Sequence, residues 1–334
     1  MPSHSLENPF NKKDLDPDDA AFVKSVLGKG ASKSKISKKE DFGSEIDDLV
    51  LSAEDHEKIK DERISDEIIL RERQALREFF GKEILVPPPP KQATRERILE
   101  WRQLGLELHY LPPISMAEIR RGPEGEILEV IPIEFPGWKK KPGRQYTRNQ
   151  EYGIDLFDKV KSGALDPSVF NLPGAWVLFD SCEKPNYGGE YANDPLAQAL
   201  EELRKKKIVE NFEVKGSRFH LSPQELENPK VLTAFAKVLN LDAIPGLIID
   251  IPRVIEFNLL GNIYYPQWGT TSAYEWFSDK CQYGGQRFYG GRSFVGGLSY
   301  ILSVSPKDRG DRSVDIGFRL IARFPSNQER VDKK

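Results

Sequence analysis

Apolar positions along the chain fall into segments with different periods. Over residues 65–80, Ile68, Ile69, Ala75, Leu76, Phe79 and Phe80 lie mostly on one helical face behind Ser65, a residue suited to cap it. The pattern predicts a helix that stops before the prolines at 87–90. Consecutive prolines cannot continue a helix and form a stiff extended spacer; the other reading is a ligand for a proline-recognising partner. A second helix is predicted over residues 94–104, with Ile98, Leu99 and Trp101 as its apolar contacts, and Pro112 and Pro113 close this region.

The compact domain is expected to begin near Glu126. Ile127, Val130, Ile131 and Ile133 make a strand-like run closed by Phe135, Pro136 and Gly137. Residues 175–179 (AWVLF) read as a buried strand after the Pro173-Gly174 turn. Three helix starts follow. Asp194-Pro195 precedes Leu196, Leu200 and Leu203 at helical spacing, and Ser222-Pro223-Gln224-Glu225 has the form of a capping box. Asn228-Pro229 opens a helix carrying Leu232, Phe235 and Leu239. Helices set between strands suit an α+β domain.

From Gly284 onward the texture changes. Gly284-Gly285, Gly290-Gly291 and Gly296-Gly297 punctuate short polar or aromatic segments, as tight turns require. Residues 316–324 (IGFRLIARF) read as one closing strand, with Phe318, Leu320 and Ala322 alternating against Gly317, Arg319 and Arg323.

Composition qualifies this picture. The 334 residues are 38% hydrophobic and 30% charged, so part of the chain is expected to remain unpacked. That part is residues 1–60, above all 29–41, which hold one Ile and one Ala as their only apolar residues. A short helix over residues 20–27 is the one element expected there. A solvated tail and a docking segment that folds on a partner are the two readings of this stretch. The formal charge of -3 gives no basic surface for nucleic acid. No apolar run is long enough to span a bilayer, and the N-terminus lacks the apolar core of a secretory signal. The default location is therefore cytoplasmic, with export by another route left open. Cys182 and Cys281 are the only cysteines; one bridge between them remains open, and a disulfide framework does not.

Several spaced motifs carry a resemblance. Residues 251–260 (IPRVIEFNLL), Tyr265-Pro266 with Trp268-Gly269, Tyr274-Glu275-Trp276, Arg287 with Gly290-Gly291, and Gly317-Phe318-Arg319-Leu320 occur in this order. That order is similar to the formylglycine-generating-enzyme (sulfatase-modifying-factor) type of C-type lectin fold. The chain resembles more closely the variable proteins of diversity-generating retroelements, through Tyr274-Glu275-Trp276, Gly296-Gly297-Leu298 and Gly317-Phe318-Arg319. Upstream, Phe135-Pro136-Gly137-Trp138, Trp176-Val177-Leu178 and Lys184-Pro185-Asn186-Tyr187 look like segments of the long versions of that type. The resemblance implies a C-type lectin fold over residues 126–325, preceded by a tail (1–60) and a helical, proline-interrupted extension (61–125) and followed by a tail (326–334).

In such proteins a reverse transcriptase randomises adenines in AAY codons, and the altered side chains meet a partner. The positions that the resemblance makes variable are Tyr289, Arg292, Phe294, Val295, Tyr300, Leu302, Ser303, Val304, Ser305, Asp311, Ser313, Val314 and Asp315. None is Lys, Glu, Gln, Met or Trp, the residues an altered AAY codon cannot encode. The scaffold would be Trp268, Tyr274, Trp276, Arg287, Gly290, Gly291, Gly296, Gly297, Gly317, Phe318 and Arg319. Phe294, Tyr300, Leu302 and Val304 suit an interface if exposed; the alternative reading makes them core strand residues. A spread of varied side chains makes a broad, shallow site, which fits a protein surface as ligand.

Other chemistry finds less support. The oxidase members of the wider family use a cysteine pair just before the final strand, and residues 297–315 contain no cysteine. An oxidase of that type remains the rival from the enzyme class, and a purely structural domain is a third reading. His4, His56, His109 and His220 have no zinc spacing. Asp308, Asp311 and Asp315 match no calcium loop, the paired glycines form no phosphate loop, and no cofactor is expected.

Overall fold

Helix α1 (Ala53–Phe80) starts well before Ser65, which is therefore an interior residue and not the cap. The computed structural model describes residues 53–138, 154–186, 188–211, 218–280, 286–291, 305–307 and 310–325. The expectations for residues 1–52 and 326–334 lie outside these. In α1 an inward stripe runs through Ile64, Ile68, Glu72, Leu76 and Phe80, the fourfold spacing of one helix face. Gly81, at φ 68°, ends the helix by donating its N–H to the Arg77 carbonyl at 2.8 Å.

The prolines beyond it are docked and do not act as a free spacer. Trp176 Nε1 donates to the carbonyls of Pro87 (3.2 Å) and Pro88 (3.1 Å). An extended proline run has no internal hydrogen bonds, so its carbonyls are free to accept. Helix α2 (Arg95–Gln103) follows, and Gly105 at φ 71° turns the chain into β1 (Leu106–Leu111).

Strand β1 lies in the stretch expected to precede the domain, yet it pairs antiparallel with β4 (Ala175–Asp180), Leu108 opposite Leu178. A short apolar run does not reveal by period whether it is strand or helix, and the partner that decides it lies far along the chain. One hydrophobic cluster takes side chains from Ile68 of α1 through Phe324, so no structural division falls at residue 126. Strands β2 (Ala117–Arg121) and β3 (Ile127–Pro132) form a separate hairpin, followed by α3 (Ile154–Lys161).

Beyond β4 come α4 (Ala197–Lys205), α5 (Pro223–Leu226) and α6 (Pro229–Val238). Ser222 and Glu225 form the expected capping box, and the Asn228 side chain accepts from Lys230 N–H. Then follow β5 (Ile248–Asp250), α7 (Val254–Ile263), β6 (Tyr274–Lys280), β7 (Arg287–Gly290), β8 (Ser305–Lys307), β9 (Ile316–Gly317) and β10 (Ile321–Arg323).

The described residues thus form a mixed α+β fold. One sheet runs β1-β4-β10-β5 and is antiparallel throughout; another runs β8-β7-β6-β9, with β9 parallel to β6. Helix α7 is buried from Val254 to Asn262, as befits a helix apolar on nearly all sides. Its Phe257 stacks on Trp268 at 5.3 Å and meets Phe277 of β6 at 5.2 Å, and Trp268 meets Phe179 of β4 at 5.7 Å. This line of rings ties the two four-stranded sheets together.

The closing segment is not one strand. Residues 316–317 belong to the second sheet and 321–323 to the first. Phe318, Arg319 and Leu320 cross between them, all buried. The expected alternation fails because this segment serves two sheets and is enclosed on every side.

Candidate binding face

Strands β6 and β7 pair antiparallel, Trp276 opposite Tyr289 and Glu275 opposite Gly290. Alternation places Tyr274 and Trp276 on one face and Glu275 and Phe277 on the other. On the first face, Tyr289 packs edge-on against Tyr274 (5.2 Å) and Trp276 (5.7 Å). Trp276 is buried and donates Nε1–H to the Leu221 carbonyl at 2.9 Å. Tyr274 and Tyr289 are half-buried.

On the inner face the scaffold is ionic. Arg319, fully buried, makes a two-pronged pair with Glu275 (2.8 and 2.7 Å) and donates to the Asp180 carbonyl at 2.6 Å. Its guanidinium lies 3.6 Å from the centre of the Trp268 ring, a cation–π contact. Tyr191 donates its hydroxyl to Glu275 at 2.8 Å. A Cβ on Gly317 would overlap that tyrosine, and one on Gly291 (φ 89°) would come within 3.2 Å of Phe257. Both positions therefore need glycine.

A second buried guanidinium, Arg218, pairs with Asp180 and with Asp194 (2.8 and 2.7 Å). Burial opposes the charge of Asp180, but Arg218 and Arg319 outweigh it and hold the carboxyl below its ordinary value. Cys182 is a free thiol pushed up to about 12 by burial and by Asp180. At neutral pH it is protonated, the form that is a poor nucleophile; Cys281 lies outside the described residues. Lys184 is lowered to about 7 by burial and bonds Thr271 Oγ1 at 2.6 Å. Arg287, itself buried, pairs with Glu227 and the Ser278 carbonyl.

Among the described candidates for the variable face, Tyr289, Ser305 and Asp315 lie beside the Tyr274–Trp276 end of β6. Ser305 of β8 stands opposite Tyr289 in the ladder. On the other side of β6, the Asp315 carbonyl accepts from Tyr274 N–H at 2.9 Å, and the Ser313 carbonyl accepts from His220 N–H at 3.0 Å. Asp311 is exposed, as is Val314 at 48%. Arg292, Phe294, Val295, Tyr300, Leu302, Ser303 and Val304, with scaffold residues Gly296 and Gly297, lie outside the described residues.

Comparison of the chain with protein-family models, with curated proteins and with solved structures found no match.

Beside this face lies a cleft of about 600 Å³, lined among others by Glu210, Asn211, Gln224, Glu225, Asn228 and Arg312. Arg312 spans it, paired with Glu210 at 2.8 Å and Glu225 at 3.0 Å. Sequence reasoning missed this bridge, and it missed the partners of Arg319 and Arg218. One signal was present: Glu275 and Asp180 are charges set inside apolar strands, where an unpaired charge is very costly. Among the described residues no cluster of His, Cys, Asp and Glu is suited to a metal, and no helix is long and apolar enough to cross a membrane.

Proposed function

We propose that this chain is a ligand-binding protein with a C-type lectin fold, whose C-terminal face is diversified by a retroelement to meet varied protein surfaces. The observation that supports the reading is a division of labour among neighbouring residues. Trp268, Trp276, Arg287, Gly290, Gly291, Gly317, Phe318 and Arg319 are buried and largely bonded to one another or to core groups. Asp311 and Val314 are exposed, and Ser313 and Asp315 are half-buried beside the edge strand β9, while Tyr289 of β7 is half-buried and packed on Tyr274 and Trp276. Rim side chains of this kind change at small cost to stability, whereas buried paired charges do not. A face built so tolerates diversification.

The test is to sequence the DNA flanking the gene. The expected result is a reverse-transcriptase gene and a near-copy of the codons for residues 274–324, differing only where the copy carries adenine. Absence of such a repeat would remove the diversified-face reading.

A further inference from the structure

Strand β6 changes its support part-way along. Its ladder with β7 is regular at Glu275 and Trp276 and then shifts register before Lys280, the mark of a β-bulge. Through the shifted stretch β6 is fastened to the entry of α7. Ser278 N–H donates to the Pro252 carbonyl at 3.0 Å, and the Asp279 carboxylate accepts from Val254 N–H at 2.7 Å. Val254 is the first residue of α7, so Asp279 satisfies one of the N–H groups that a helix start leaves over. It does so from inside the protein, at 5% exposure.

Other buried carboxylates here have a cation: Asp180 has Arg218, and Glu275 has Arg319. Asp279 forms no ion pair among the described residues. The two guanidiniums whose charge reaches it are engaged elsewhere. Arg253, just before α7, and Arg323 of β10 both bind Glu256 of α7, and Arg323 also faces Asp250 of β5 at 3.7 Å. Three carboxylates thus share two guanidiniums. On β6 itself Lys280 is exposed and turns to Glu227, as Arg287 of β7 does. Burial accordingly pushes Asp279 up to about 6, beyond what the Val254 N–H and Arg253 restore, and Glu256 adds to the rise. Burial raises Asp250 too, whereas at Glu256 burial is outweighed by Arg323 and Arg253, which hold it low. We propose that Asp279 is a proton-operated latch, which fastens the bulged end of β6 to the start of α7 when neutral and lets the junction open more readily when ionised. The driving force is hydration: an unpaired carboxylate is costly inside the protein and recovers water when the junction opens.

A carboxyl raised in the closed form keeps its proton there after the opened form has lost it, so the closed junction is favoured at low pH and opening grows as pH rises. With a rise from the ordinary 3.8 to about 6, opening should be about tenfold more frequent at pH 7 than at pH 5. The readout is hydrogen exchange of the Val254 and Ser278 N–H groups in the full chain, followed by NMR and corrected for the intrinsic pH dependence of exchange. Asp279→Asn keeps an oxygen for Val254 N–H but cannot ionise, so its opening should be the same at both pH values. Asp250→Asn should leave the tenfold change in place, which separates the latch from the neighbouring carboxyl. Opening of the unaltered chain that does not change with pH, or a change that survives in Asp279→Asn, would overturn the proposal. Should Asp279→Asn not fold, carbon-13 titration of the Asp279 carboxyl in the unaltered chain decides. A midpoint near 6 supports the latch, and one near the ordinary 3.8 overturns it.

Discussion

Replacing Arg319 with methionine keeps most of the side-chain length and removes the charge. In the folded protein Arg319 supplies both prongs of the Glu275 pair and a bond to the Asp180 carbonyl, and it covers the Trp268 ring. Without it Glu275, which is 0% exposed, keeps the Tyr191 hydroxyl as its remaining side-chain donor. Breaking a buried pair from one side costs about 3–5 kcal/mol, chiefly because the surviving charge is stranded. Against a total stability of about 5–15 kcal/mol, that is a large fraction. Urea unfolding followed by circular dichroism should show the midpoint falling with little change in slope. The second variant is Arg319→Met with Glu275→Gln, which removes the stranded charge while keeping a group that can accept from Tyr191. It should recover about 2 kcal/mol relative to the single variant. A loss below about 1 kcal/mol for Arg319→Met, or a double variant no more stable than the single one, would refute the account of Arg319 as half of a desolvated pair.

Other outcomes follow from groups buried elsewhere. Lys184 is lowered to about 7 from 10.5 by burial, so between those pH values the unfolded chain holds a proton that the folded one lacks. Stability should rise as pH rises across that window and be lost as pH falls toward 7, by a few kcal/mol on the order of its shift. Lys184→Met should remove that slope from a urea series taken at successive pH values. Glu72 accepts from Arg71, Tyr110 N–H and the Tyr264 hydroxyl and contacts the His109 ring. Glu72→Ala should cost about 3–5 kcal/mol, and hydrogen exchange should show α1 losing protection ahead of β4. Trp176→Phe keeps the ring contact with Tyr110 but loses the donor to the proline carbonyls. It should cost about 1 kcal/mol and speed proteolysis between Leu85 and Lys91. Val314→Asp, at an exposed rim position, should shift stability by no more than about 0.5 kcal/mol.

What the sequence made legible was local. The capping box at Ser222, the Asn228 cap and the buried run of β4 depend on neighbours within a few residues, and such signals can be read without a fold. Strand β1 could not be read so, because its partner β4 begins beyond two hairpin strands and a helix. The break at Phe318-Arg319-Leu320 escaped the alternation pattern for a similar reason: residues enclosed on all sides have no polar face to alternate with. At the candidate face, the order of motifs singled out Trp268, Gly317 and Arg319, which the structure buries. Arg312, Arg218 and Glu72 were not, since a charged residue in a sequence looks the same whether it meets water or a buried partner.

The position of β10 bears on how this protein is made. In the first sheet β10 lies between β4 and β5 and pairs with both, so those two strands touch each other only through it. On the ribosome, β1 and β4 emerge long before residues 321–323. Until then β4 has one open edge and β5 has no place in the sheet. An unpaired strand edge is a template for another chain. The nascent protein is therefore open to mispairing until residues 321–323 have been made, and truncation before Ile321 would leave it in that state permanently.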